Sequence, residues 1–142
     1  MTEAAPTRSG ASSGTPLRLW GGAFGSGPSA ALQALSVSVH FDWRLAPYDI
    51  QSSRAHARVL HRAGLLDDDE LAQMLNALDT LEADVRSGAF EATVADEDVH
   101  TKIENHLSAT VGDAGKRIHT ARSRNDQVLV DLRLFGRVEV AR

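Results

Sequence analysis

The chain has 142 residues, enough for one domain with a core of its own. Its 15 basic and 19 acidic side chains leave a net charge of −4, so no global positive field recruits nucleic acid or an anionic membrane. Cysteine is absent, which excludes disulfides, thiolate metal sites and cysteine nucleophiles.

No run approaches the roughly 20 apolar residues of a membrane-spanning helix. Met1 to Pro16 mixes Thr, Ala, Ser, Gly and Pro with no apolar stretch, and reads as a disordered tail rather than a secretory signal. The expected address is the cytoplasm. Leu, Ala and Val dominate the apolar share and aromatics are few, which favours helices over sheets.

From Leu17 to Pro28 the chain is rich in glycine, and an irregular segment pinned by Trp20 and Phe24 is expected. A phosphate cradle is disfavoured there, since no strand precedes it and no Lys-Ser/Thr follows. Ser29 caps a short helix to Leu35. Ser36 to Trp43 alternates, so an extended segment would place Ser36, Ser38, His40 and Asp42 on one side.

Pro47 opens a helix that ends near Gly64. The next start is marked by Asp67 with Glu70 three residues on, a capping box, and by Leu66 poised to staple onto Leu71. Its stripe of Leu71, Met74, Leu75, Leu78, Leu81 and Val85 has a helical period and reads as core; Gly88 ends it. A further helix is expected from Asp96, with Asp96, Glu97 and Asp98 in its first turn and Val99, Ile103 and Leu107 as its apolar face. Gly112 and Gly115 break the chain. The last helix starts at Ser123 with Asp126 three positions on and an apolar seam of Val128, Leu132 and Phe135. No stop signal precedes Arg142, which suggests an incomplete domain.

Two groups of residues bear chemistry. Lys116, Arg117, Arg122 and Arg124 gather around a helix start, where free N–H groups and arginine forks suit a carboxylate or phosphate, and Asn125 adds an amide. A solvated basic turn paired with acids elsewhere fits the same residues, and a nucleic-acid patch lacks aromatic interleaving. Asp98 and His100, two apart on a helix, point in different directions, which argues against a shared metal site. His40, His56, His61, His106 and His119 form no ligand spacing, and no nucleophile elbow is readable.

Leu19-Trp20-Gly21-Gly22, Ser38 to Asp42, Asp96 to His100, Arg122 to Val128 and Asp131 to Leu134 occur in the order of the N-terminal region of argininosuccinate lyases. From Leu17 to about Leu134 the chain resembles that family, and the run Ser123-Arg124-Asn125-Asp126-Gln127-Val128 separates it from the related fumarases and aspartases. The resemblance implies a mainly α fold, truncated relative to the family: residues 1–16 a tail, 17–115 an N-terminal helical lyase domain, and 116–142 a substrate-anion loop with the start of a long central-bundle helix.

It further implies a cytoplasmic homotetramer that splits argininosuccinate reversibly into arginine and fumarate, the last step of arginine biosynthesis, with no metal or organic cofactor. By position, Ser38 and Asn125 would contact substrate, Arg124 would hold a carboxylate, Asp98 and His100 would line the site, and Asp42 is a further member. No catalytic residue falls in this chain: the family's proton acceptor and donor lie on later segments, a Thr-His pair and a Ser-rich loop. The chain alone is therefore expected to be inactive, and the alternative is a non-catalytic anion-binding helical fragment that associates with a full-length lyase. Three departures stand out. Ala23 occupies the place of a family arginine, Ala121 that of a common glycine, and Gly136 sits inside the last helix.

Overall fold

A computed structural model describes residues 29–93 and 96–142. The tail, the Gly-rich segment with Trp20 and Phe24, and Ala23 lie outside the described residues. Every described element is helical: α1 (Ala30–Ser36), α2 (Val39–Asp42), a 3-10 turn (Trp43–Leu45), α3 (Ala46–Arg62), α4 (Asp68–Ser87), α5 (Val99–Val111), α6 (Asp113–Lys116), a second 3-10 turn (Arg117–His119) and α7 (Arg124–Val140). None of them is long and apolar enough to cross a membrane.

The centre of the fold is the α3–α4 hairpin. Pro47 sits in the first turn of α3, where its missing N–H costs nothing. Asp67 accepts from the Glu70 N–H while Glu70 reaches back to the Asp67 N–H, so the expected capping box closes the start of α4. Gly88, at φ 76°, ends it in the left-handed conformation. His61 meets Asp68 beside the connecting loop, and Arg54 reaches Asp79 and Glu82 further along, a pairing order that makes the hairpin antiparallel.

Between these helices lie Ile50, Ala57 and Leu60 of α3 against Met74, Ala77, Leu78 and Leu81 of α4, joined by Val99, Ile103 and Leu107 of α5. Full burial of each large aliphatic side chain contributes about 1.5–3 kcal/mol. The stripe read from the sequence is thus the core, with Leu71, Leu75 and Val85 on its half-buried margin.

Three expectations need correction. Ser36 to Trp43 is not extended: α1 runs to Ser36, and Val39–Asp42 is a helical turn. Ser38 and Asp42, four apart, are brought together by that turn, while Ser36 and His40 face solvent. The helix after the acidic run starts at Val99 rather than Asp96. Asp98 is its cap and its first turn holds no acid, because Asp96 folds back onto Thr93 and Lys102. Gly112, at φ 68°, does break the chain, but Gly115 lies inside α6. A Cβ on Gly115 would overlap the Leu107 carbonyl and stand 2.8 Å from Ser108 Cα, so this glycine permits the close approach of α6 to α5.

The turn into α7 carries backbone strain. Ala121 is at φ 57°, a region costly to a residue with a Cβ. The substitution Ala121→Gly should raise stability by about 1 kcal/mol, the relief of that strain net of glycine's greater freedom when unfolded. Urea unfolding measures it, and a lower midpoint for the variant would contradict the strain.

Candidate functional site

The α7 start is built as the sequence indicates. Ser123 caps the helix and accepts from the Asp126 N–H, and Asp126 reaches back to the Ser123 N–H. Beyond this first turn the expectation fails. The face of α7 that turns inward is polar, with Gln127 and Asp131 buried, whereas Leu129, Val130 and Leu132 are about half exposed. Val128 and Phe135 are half-buried, Phe135 meeting Tyr48 edge-on at 5.8 Å. The supposed apolar seam is displaced because α3 and α5 present a buried acid–base cluster to this helix.

That cluster centres on Asp49 of α3, which is fully buried. His100 Nδ1 donates to its Oδ2 at 2.7 Å, Ser53 Oγ donates to Oδ1 at 2.9 Å, and Gln127 Nε2 reaches both oxygens at 2.9 and 3.0 Å. Burial alone would raise the Asp49 carboxyl. The hydrogen bond and charge of His100, with Gln127 and Ser53, outweigh it and hold the group below its ordinary value. His100 moves oppositely: burial works against its charge, and Asp49 more than compensates, so its value is raised.

Asp131 lies opposite, its Oδ2 3.6 Å from His100 Nδ1. Burial and the nearby charge of Asp49 push its carboxyl up to about 6. Arg122 turns inward from the strained turn and reaches Ser53 Oγ at 3.4 Å; burial pulls its guanidinium down while Asp49 and Asp131 favour its charge. Donor atoms of Asp49, His100 and Asp131 fall within 4.8 Å of one another, a grouping with the residue types of a metal site. Tetrahedral ligands about 2.0–2.1 Å from a metal stand ~3.3 Å apart. The 2.7 Å contact between His100 and Asp49 is a hydrogen bond instead, and Arg122 adds a competing charge.

Beside the cluster opens a cleft of about 530 Å³, between the α2 turn, the start of α5 and α7. Ser38, Asp42, Asp98, His100 and Arg124 line it, with Phe41, Leu45, Val128, Leu132 and Phe135 as its apolar wall. Ser38 Oγ donates to Asp42 Oδ2 at 2.5 Å, and Asp42 Oδ1 accepts from the Val99 N–H at 3.2 Å, tying the α2 turn to the start of α5. Asp98 caps α5 by accepting from the Thr101 N–H at 2.6 Å. Asp98 and His100 do point apart, one to a helix cap and the other to Asp49.

Asn125 stands elsewhere: it is exposed on the first turn of α7 and does not line the cleft. Arg124 is already engaged, by Gln127 at 2.8 Å, Glu104 at 3.2 Å and Thr101 at 3.4 Å. Lys116 pairs with Asp113, and Arg117 with Glu70 and the Leu65 carbonyl. Much of the cationic segment is therefore balanced within the chain, as the basic-turn reading held. Asp49, Ser53, Gln127 and Asp131 were not singled out as site residues from the sequence, and Arg122 only as one of the cations of the turn before α7. Their signal is polar residues at helical spacing, Asp49 with Ser53 and Gln127 with Asp131, each pair four apart.

A family model described as Lyase matches residues 22–142. The chain belongs to this lyase family. Among curated relatives it is 60% identical over 121 residues to the argininosuccinate lyase of Frankia casuarinae, covering 85% of this chain and 26% of that protein. The argininosuccinate lyase of Streptomyces coelicolor gives 60% over 122 residues, again 85% and 26%. That of Nocardia farcinica gives 54% over 143 residues, spanning 100% of this chain and 29% of the relative. The lyase chain thus spans about a quarter of the length of the relatives it matches.

The raised acid gives this site a pH signature. A carboxyl moved from 3.8 up to about 6 favours folding while protonated, so its contribution is complete below about pH 4 and is lost as pH rises through 6. Asp131→Asn keeps the neutral shape. The stability of the parent relative to this variant should fall by about 1–3 kcal/mol between acidic and mildly alkaline pH. Urea midpoints at the two limits check it, and a difference independent of pH would exclude a raised Asp131.

Proposed function

We propose that this chain is the N-terminal part of an argininosuccinate lyase, the enzyme that eliminates fumarate reversibly from argininosuccinate to leave arginine. The observation that carries this reading is the cleft in which Ser38, Asp42, Asp98, His100 and Arg124 converge from separate elements. The name printed for the relatives supports it. Argininosuccinate carries three carboxylates and a guanidinium, and the cleft offers both signs of charge: His100 and Arg124 for the former, Asp42 and Asp98 for the latter.

In this reading Ser38, Asp98, His100, Arg124 and Asp42 contact or position the substrate. Asn125, exposed on the first turn of α7 and outside the cleft, meets the substrate once further protein covers α7. Residues 17–115 form the N-terminal lyase domain, and 116–142 the anion loop with the start of a central-bundle helix. The enzyme works in the cytoplasm, as a homotetramer, without a metal or organic cofactor: elimination needs a base, an acid and stabilisation of a developing carbanion.

Residues 1–142 taken alone should bind without turnover, and fumarate release from argininosuccinate, followed by absorbance, checks this. In a chain restored to the length of the relatives, Asn125→Ala should cut kcat/KM about 10- to 100-fold, the loss of ~1.5–3 kcal/mol for a hydrogen bond to a charged group. Its unfolding midpoint should stay that of the parent; a large drop would make Asn125 structural instead.

The half-exposed Leu129, Val130 and Leu132, with Val138 and the nearly bare Val140, leave α7 an apolar outer face. Sedimentation of the 142-residue chain should show self-association through it, and a clean monomer would count against a bundle helix. Co-sedimentation with a full-length lyase, without turnover on either side of the contact, would favour the alternative of an associating, anion-binding fragment.

A further inference from the structure

His100 belongs to two environments at once. Its ring lines the cleft, and it also walls a void of about 10 Å³ shared with Ser53, Arg122 and Gln127, on the side of the buried acids. Nδ1 is committed to Asp49 at 2.7 Å, while Nε2 has no hydrogen-bond partner among the described residues. Asp49 has no freedom to release the ring. Its Oδ1 is held by Ser53 and Gln127 and its Oδ2 by Gln127 and His100, so rotation of the carboxylate would break bonds to α3, α5 and α7 together.

The charges facing the ring come from every neighbouring element. Asp49 stands on α3, Asp131 and Arg124 on α7, Asp98 just before α5 and Arg122 on the turn ahead of α7. Arg124 is already paired with Glu104, so the buried Asp49 and Asp131 face the Arg122 guanidinium and the imidazole. A protonated His100 supplies the second positive charge for these two acids; a neutral ring would leave one of them without a counter-charge.

We propose that Asp49 is a positioning residue for the cleft: acting through His100, it fixes the ring's orientation and keeps it a cation, so that the imidazolium edge in the cleft offers an N–H to a carboxylate of the ligand. Nothing in the relatives' names assigns Asp49 a role. The proposal rests on the reading of the cleft as a carboxylate site, and goes further by naming the group that prepares it. Ser53 and Gln127 serve by clamping Asp49 rather than by meeting the ligand.

The test is nitrogen-15 NMR of the His100 ring in the 142-residue chain, with succinate as the dicarboxylate probe. His100 should remain protonated above the ordinary histidine value near 6.5, because Asp49 holds its charge. Succinate affinity should fall as His100 loses its proton, a comparison that needs no substitution. Asp49→Asn should lower the His100 midpoint below 6.5, since burial remains without its partner charge, and weaken succinate binding about 10-fold or more.

A wild-type His100 titrating at or below the ordinary value overturns the proposal. So does an Asp49→Asn chain that keeps its circular dichroism, its charged His100 and its succinate affinity. If succinate binds at no pH, the carboxylate reading of the cleft falls and the role of Asp49 with it; a still-raised His100 then locates the failure in that reading rather than in the ion pair.

Discussion

The burial of one carboxylate, that of Asp49, organises the rest of this structure. A charge taken out of water among helices is tolerated only with a counter-charge and saturated hydrogen bonds. Asp49 obtains both from His100, Ser53 and Gln127, which draws α5 and α7 onto α3 in one registration. Removing one partner of such a pair typically costs about 3–5 kcal/mol, comparable to the burial of two large aliphatic side chains. The polar cluster therefore sets helix placement as firmly as the Leu and Met core of the α3–α4 hairpin.

The same requirement explains why α7 is turned as it is. Gln127 and Asp131 must face inward to meet the α3 and α5 side chains, and a helix shows one face at a time. Its aliphatic residues are then carried to the outside and to the wall of the cleft. The strained backbone at Ala121 belongs to this arrangement, since the turn that ends there sends Arg122 toward the buried acids while Ser123 starts the helix. Strain held in place by surrounding contacts is common next to binding sites.

The cleft inherits its character from these constraints. Its charged residues are already bonded within the chain: Ser38 with Asp42, Asp98 to the start of α5, His100 to Asp49, and Arg124 to Glu104 and Gln127. Such pairings fix side-chain geometry before any ligand arrives, which lowers the ordering cost of binding. They also mean that a ligand carboxylate near Arg124 competes with Glu104 and Gln127 for the same guanidinium. A cationic loop in sequence is thus a nearly neutral surface in space, because Lys116, Arg117 and Arg124 are each paired with an acid.

Local patterns in the sequence determined most of the helices. The capping boxes at Asp67 and Ser123, the proline opening α3, the glycine ending α4 and the stripe from Leu71 to Val85 each act within one or two turns. It was the family resemblance of the motifs Ser38 to Asp42, Asp98 to His100 and Ser123 to Val128, not any local pattern, that named the residues which meet around one cleft, Asn125 excepted. What the tertiary structure alone decided was which face of each helix turns inward. Alternation at Ser36 to Trp43 suggested a strand because hydrophobic period is ambiguous over eight residues, and a turn held by the Ser38–Asp42 bond and by Val99 resolved it. The acids before Val99 looked like a first helical turn, but Asp98 was needed as the cap. Asp49, Gln127 and Asp131 are unremarkable polar residues along the chain; they become the centre of the site because residues 51 and 78 positions apart supply each other's missing charge and hydrogen bonds.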